Sequence, residues 1–194
     1  MATTLSEKNI HEMIKSATQP LHERVEILNP LSKKVPSLDD YTLYLKCFLQ
    51  FIEPIENKLI EFYSEFTYTK SDYSLKRSIL IKNDLENLGI INIKLKSNIK
   101  MPVLISAANS LGVLYVLEGS NLGGQFLYKK LKAIHGDKIS NSLSFLQGNG
   151  TDTFKYWQAF LAFMQEYSDK HPSENEAIIQ SAIETFACFE QIFL

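Results

Sequence analysis

The chain has 194 residues, 45% hydrophobic and 22% charged, which suits one globular domain with a packed core and argues against disorder. A formal charge of -2, with no long Lys/Arg block, excludes a nucleic-acid footprint. Cys47 and Cys188 are far apart with no CxxC or Cys/His spacing, and no apolar run nears the roughly 20 residues that span a bilayer, so zinc, a disulfide framework and a membrane are not expected.

In chain order, Thr4-x-x-Glu7 reads as a capping box opening a helix through Ile10, Met13 and Ile14. Pro20 removes a backbone donor, so the helix must kink there or restart, continuing over 21–28 until Asn29-Pro30 closes it. Ser37-x-x-Asp40 is a second capping signal, and apolar residues run from Leu43 to Phe62 with Pro54 bending or splitting the helix. A mixed helical segment over 73–88 ends at Gly89, a C-terminal cap. Ile, Leu and Lys alternate over 90–100, which reads as loop because no second strand is available to pair with it.

Pro102 opens the longest apolar run, through Leu111, Leu122 and Leu131. Two more helices follow, over 152–168 and from 174 to the C-terminus, with Ser173 as N-cap after the turn Lys170-His171-Pro172. The expected fold is all-α, with seven or eight helices in a single domain over 1–194.

Four of the eight glycines lie between 112 and 124, inside this longest helical run. Each costs about 0.5–1 kcal/mol relative to Ala in a helix interior. At about 100° per residue, Gly112, Gly119 and Gly123 fall within roughly 40° of one another, and Ala108 extends the strip. Gly124 points elsewhere and permits a bend. A strip nearly free of side chains admits either a neighbouring helix, through Gly119-x-x-x-Gly123, or a flat rigid ligand. The polar break Glu118-Gly119-Ser120-Asn121 inclines the reading toward a ligand, because polar groups within an apolar helix need partners or water.

Among the four histidines, His171 sits in a turn and His135 at a helix end, where a cation favours the dipole; His11 has no obvious supporting partner. His22 has Glu26 four residues on and Lys15 seven back, all on one face if Pro20 only kinks the helix. A metal-ligating histidine commonly donates its second ring N–H to a carboxylate. The competing reading is a surface His/Glu pair worth a few tenths of a kcal/mol. Spacing leaves both open.

The segment Ala17-Thr18-Gln19-Pro20-Leu21-His22-Glu23-Arg24-Val25-Glu26 resembles the proximal segment of the haem oxygenase family, and Tyr115-Val116-Leu117-Glu118-Gly119-Ser120-Asn121-Leu122-Gly123-Gly124 resembles its distal helix. Ala182-x-x-Thr185-Phe186-x-x-Phe189-Glu190 is similar to the family's last helix. The resemblance, strongest to bacterial biliverdin-producing members, implies haem held between proximal and distal helices as cofactor and substrate. It implies His22 as iron ligand steadied by Glu26, Lys15 at a haem propionate, and Lys155 as a second propionate partner. The strip of Gly112, Gly119 and Gly123 would lie against the porphyrin, with Gly119 and Gly123 steering oxygen toward one meso edge.

The implied reaction opens haem with dioxygen and reductant to biliverdin, carbon monoxide and ferrous iron. Its implied partners are haem, dioxygen and an electron donor (a reductase or ferredoxin), with either a bilin-binding photoreceptor as product acceptor or iron release as the purpose. Many family members carry an aspartate in the distal motif; here the residue after the first distal glycine is Ser120, so Ser120, Asn121, backbone and water are the candidates for delivering protons. That departure motivates the alternative of a non-catalytic haem carrier or sensor on the same fold. A helical interaction module, its glycines used only for packing, is the third reading. No signal-peptide core or tail anchor is visible, and a cytoplasmic location is expected.

Overall fold

A computed structural model describes residues 9–63, 74, 76–93 and 99–194. Eight α-helices occur among them, and no strand: α1 (Ile10–Leu28), α2 (Leu38–Ile52), α3 (Glu56–Tyr63), α4 (Arg77–Asn87), α5 (Ala107–His135), α6 (Ser144–Gln147), α7 (Thr153–Lys170) and α8 (Asn175–Phe193). The Thr4/Glu7 capping box lies outside the described residues; α1 is capped by Asn9, whose side chain accepts from the Glu12 amide at 2.9 Å. Of the 90–100 stretch, residues 90–93 and 99–100 form no regular structure, and 94–98 lie outside the described set, as does Tyr73.

Pro20 neither stops nor restarts α1, which is continuous through it. Pro20 and Ser16 both lie on the exposed face, where water can satisfy the carbonyl that loses its donor. Pro54 does split its run, into α2 and α3. The Ser37/Asp40 capping box is complete, with reciprocal bonds of 3.1 and 2.9 Å. Gly89, at φ +80°, closes α4 in a Schellman motif: its amide bonds Glu86 and the Ile90 amide bonds Leu85.

Two expected helix starts are corrected. Residues after Pro102 are not helical until Ala107, because Ser106 is the cap that accepts from the Asn109 amide at 3.2 Å. Ser173 does not cap α8. Pro172 opens a tight 3-10 turn over Pro172–Glu174, so the chain is already helical when it reaches Ser173.

The core is organised around α8, which packs most extensively on α5 and then on α1. Gly112 marks the α5–α8 crossing. A Cβ there would clash with the Ile178 carbonyl and lie 2.7 Å from Ser181 Cβ and 2.8 Å from the Ala182 amide. Ser181 adds a 2.7 Å hydrogen bond to the Asn109 carbonyl beside it. On the other side, Asp84 of α4 is fully buried and joins three helices: it accepts from Tyr41 Oη of α2 (3.2 Å) and from the Ser144 and Phe145 amides that open α6 (3.0 and 2.8 Å). Burial raises its carboxyl pKa, and these donors oppose the shift.

Ala has the higher helix propensity, yet Gly112→Ala is expected to destabilise the fold by about 1–3 kcal/mol, because the added methyl meets backbone that cannot give way. A urea-unfolding midpoint equal to or above that of the unaltered chain would refute the crossing geometry. Asp84→Ala should cost about 2–4 kcal/mol through the buried donors it strands, and Asp84→Asn less, since its one remaining oxygen still accepts and no charge is desolvated, although its NH2 then faces a donor. The same denaturation series measures both.

Candidate functional site

Beyond the Gly112 crossing, α5 and α8 leave room for a cavity of about 490 Å³, with α1 forming its other wall. That volume is in the range of small-molecule and cofactor sites. From α1 the lining residues include His11, Lys15, Gln19, His22 and Glu26, one stripe at helical spacing. Facing them on α5 are Tyr115, Gly119, Ser120 and Gly123. Phe186, Phe189 and Phe193 of α8, with Phe48 of α2 and Trp157 of α7, supply an aromatic floor and side.

His22 projects from the exposed side of α1 over this floor. Its ring meets Phe186 edge-on, with centroids 5.3 Å apart and planes at 76°. Its Nδ1 is 3.6 Å from Glu26 Oε1, close enough for attraction but longer than a formed hydrogen bond. Arg24, on the next turn, pairs with Glu190 of α8 at 2.6 Å and ties the two helices together beside the site.

The glycine strip divides by position. Gly112 is not at the cavity; it is the helix-packing glycine described above. Among the described residues, a Cβ at Gly119 or Gly123 would reach no backbone of another helix within 4 Å. A Cβ at Gly123 would meet nothing within 4 Å, and one at Gly119 would meet only the Trp157 ring edge at 3.5 Å. Gly124 also lines the cavity, and a Cβ there would sit 3.6 Å from the Leu146 carbonyl. Along one helix the strip thus packs on α8 at Gly112 and faces the cavity at Gly119 and Gly123.

The polar break has partners of its own. Glu118 and Asn121 turn away from the cavity into a buried network: Arg77 Nη2 bonds Glu118 Oε1 at 2.6 Å, Ser74 Oγ donates to the same oxygen at 2.8 Å, and Asn121 Nδ2 reaches Oε2 at 3.3 Å. Asn121 is thus removed from the proton-delivery candidates at the cavity. Ser120 remains there, its hydroxyl donating to the Leu117 carbonyl at 2.7 Å. Lys155 is exposed on α7 and does not line the cavity; it sits about 200° around the helix from Trp157, which does.

Three lining residues form a contact set that no one motif spans. His11 accompanies Lys15 and His22 on one face, since eleven residues bring it within roughly 20° of His22. Its Nδ1 lies 3.1 Å from Tyr115 Oη, so it pairs directly across the cavity to α5. Trp157, the chain's single tryptophan, packs on both: its centroid is 6.1 Å from His11 and 5.4 Å from Tyr115. Among the described residues no cluster of three or more His, Cys, Asp or Glu could hold a free metal ion. A single histidine suits a metal whose other ligands arrive with it.

Comparison with known proteins agrees with this layout. The chain matches the family model described as Heme oxygenase over residues 8–194. No curated protein matches. Among solved structures it is similar to the heme oxygenase from Neisseria meningitidis, determined with NO and CO bound, at 22% identity and a TM-score of 0.70, over 95% of this chain and 90% of that one. That likeness shows the fold, and the sequence match shows the kinship: across residues 8–194, this chain belongs to the haem oxygenase family.

Proposed function

We propose that the chain binds haem in the α1–α5 cavity with His22 as axial ligand and opens it to biliverdin, carbon monoxide and ferrous iron. The observation that carries this reading is the bare backbone of Gly119 and Gly123 across the cavity from His22. A slot that a single Cβ would narrow, between an imidazole and an exposed helix backbone, suits a planar macrocycle. The floor of Phe186, Phe189 and Phe48 suits its apolar body, and Lys15 suits its carboxylates.

Haem supplies the hard chemistry, namely reductive activation of dioxygen at its iron and an oxidisable meso carbon. The chain's residues bind, orient and exclude water. His22 would offer one ring nitrogen to the iron, and a small side-chain rotation would bring its Nδ1–H to Glu26, fixing the tautomer. Gly119 and Gly123 crowd the reacting side without a side chain and so select which meso edge is reached. Ser120 already spends its proton on Leu117, so its role is to accept: it holds a water at the glycine face, and that water passes on the proton. Electrons come from a separate donor, a reductase or ferredoxin.

No helix among the described residues is long and apolar enough to cross a membrane. Cys47 and Cys188 are both buried, and a cytoplasmic location belongs to this reading.

The decisive measurement mixes the haem complex with dioxygen and a reductant and follows absorption. Loss of the Soret band with growth of a bilin band is expected; a haem spectrum that persists would support a carrier or sensor instead. His22→Ala should shift the haem spectrum and lower turnover by more than about 100-fold, exceeding the 10–100-fold typical of a ligand's supporting partner. An unchanged spectrum would remove His22 from the iron. Gly119→Leu should weaken haem binding about 10–100-fold, from an overpacking cost of about 1–3 kcal/mol, and alter the biliverdin isomer ratio. Unaltered affinity and isomer would refute the close approach of α5.

A further inference from the structure

We propose that His11 is a further haem-binding residue: paired with Tyr115 at the carboxylate-accepting end of the cavity, it takes up a proton as the substrate's propionates enter. This inference rests on the haem reading of the cavity. It goes beyond the motif residues, none of which includes His11.

The geometry is specific. His11 and Tyr115 come from opposite walls and meet through Nδ1 and Oη at 3.1 Å. Trp157 holds the imidazole edge-on at 80°, which fixes the ring plane. Nε2 makes no hydrogen bond among the described residues, while His11 lines the cavity one turn from Lys15. An imidazole, a phenol and one ammonium therefore gather at one end of a largely apolar and aromatic chamber, and Glu26 lies at the other end of the α1 stripe.

The charges around His11 set its state. On α1 itself, Lys15 lowers its pKa and Glu12 raises it; from α5 the facing titratable group is Tyr115, and α7 presents the uncharged Trp157. Burial is the largest influence and, with Lys15, holds the imidazole below its usual value of 6.5, so it is neutral at pH 7 in the empty chain. Burial, with Glu12 second, pushes the Tyr115 phenol up to about 12, so it keeps its proton.

A neutral ring that accepts from Tyr115 at Nδ1 carries its own proton on Nε2. A carboxylate arriving beside it favours the cation. Once protonated, Nδ1–H donates to Tyr115 Oη, and the tyrosine proton is released to point into the cavity. One bound proton thus reverses one hydrogen bond and supplies two donors to the propionates. The sign follows from linkage. The coupling strengthens binding as pH falls from above the pKa of the complex toward that of the empty chain, and is lost as pH rises through the former.

Calorimetric titration of the full chain with ferric haem, in buffers of different ionisation enthalpy at pH 7, reads the effect directly. The unaltered chain should take up about half a proton or more beyond His11→Gln, and its affinity advantage should grow as pH falls, by up to about tenfold per pH unit at the steepest point. Any contribution from His22 is common to both proteins and cancels. In the unaltered chain, NMR with gallium(III) protoporphyrin IX should move the His11 titration upward by more than about one pH unit, a shift of the size that a neighbouring carboxylate produces. The dimethyl ester of that porphyrin should leave it in place. Haem binding with equal proton uptake, a His11 titration that does not move, or an equal shift with the ester overturns this inference alone. A chain that binds no haem overturns the functional reading and this inference with it.

Discussion

Where α8 crosses α5 the two backbones meet at Gly112, and the closeness of that contact governs what lies further along. Only a residue without a Cβ lets the Ile178–Ala182 turn seat directly on α5. Gly119 is seven residues, or roughly 10 Å, farther along the same face. By then the two helices have diverged, and the bare strip is left uncovered. The cavity is the wedge that opens past the crossing, closed on its far side by α1 and floored by the aromatic rings that α8 turns toward it. A single strip of small residues thus makes a helix contact at one end and lines a cavity at the other.

Rotation of α5 about its own axis must also be fixed, or the strip would not face the wedge. The Arg77–Glu118 pair does this from the opposite side. Both side chains are almost wholly buried, at 3% and 5% exposure, and Ser74 and Asn121 share the carboxylate. Desolvating two charges offsets much of their attraction, so the pair adds little net stability compared with apolar packing. What it contributes is azimuth: losing either partner strands a charge in the core, so α5 is held with Glu118 toward α4 and Gly119 toward α1.

Features written in local chemistry were legible before any fold. The Ser37/Asp40 box, the Gly89 cap and the break at Pro54 depend on a few adjacent residues, and each formed as read. The Gly119–Gly123 strip and the α1 face were readable too, because helical period alone aligns them. Misreadings arose where a distant partner decides. Gly112 shares its face with Gly119, and only the path of α8 distinguishes them. His11 seemed unsupported because its partner, Tyr115, is 104 residues away. Its alignment with His22 was the available clue.

Gly123 illustrates a tension between an empty chain and an occupied one. Among the described residues no neighbouring element lies within 4 Å of where its Cβ would be, so none of their contacts requires a glycine there. The helix still carries the propensity penalty of about 1 kcal/mol. Any sequence refined for the stability of the vacant protein would replace Gly123 with alanine and gain by it. A glycine there costs the helix stability, and on the haem reading of the cavity it leaves room for the guest, setting stability against occupancy at this one position.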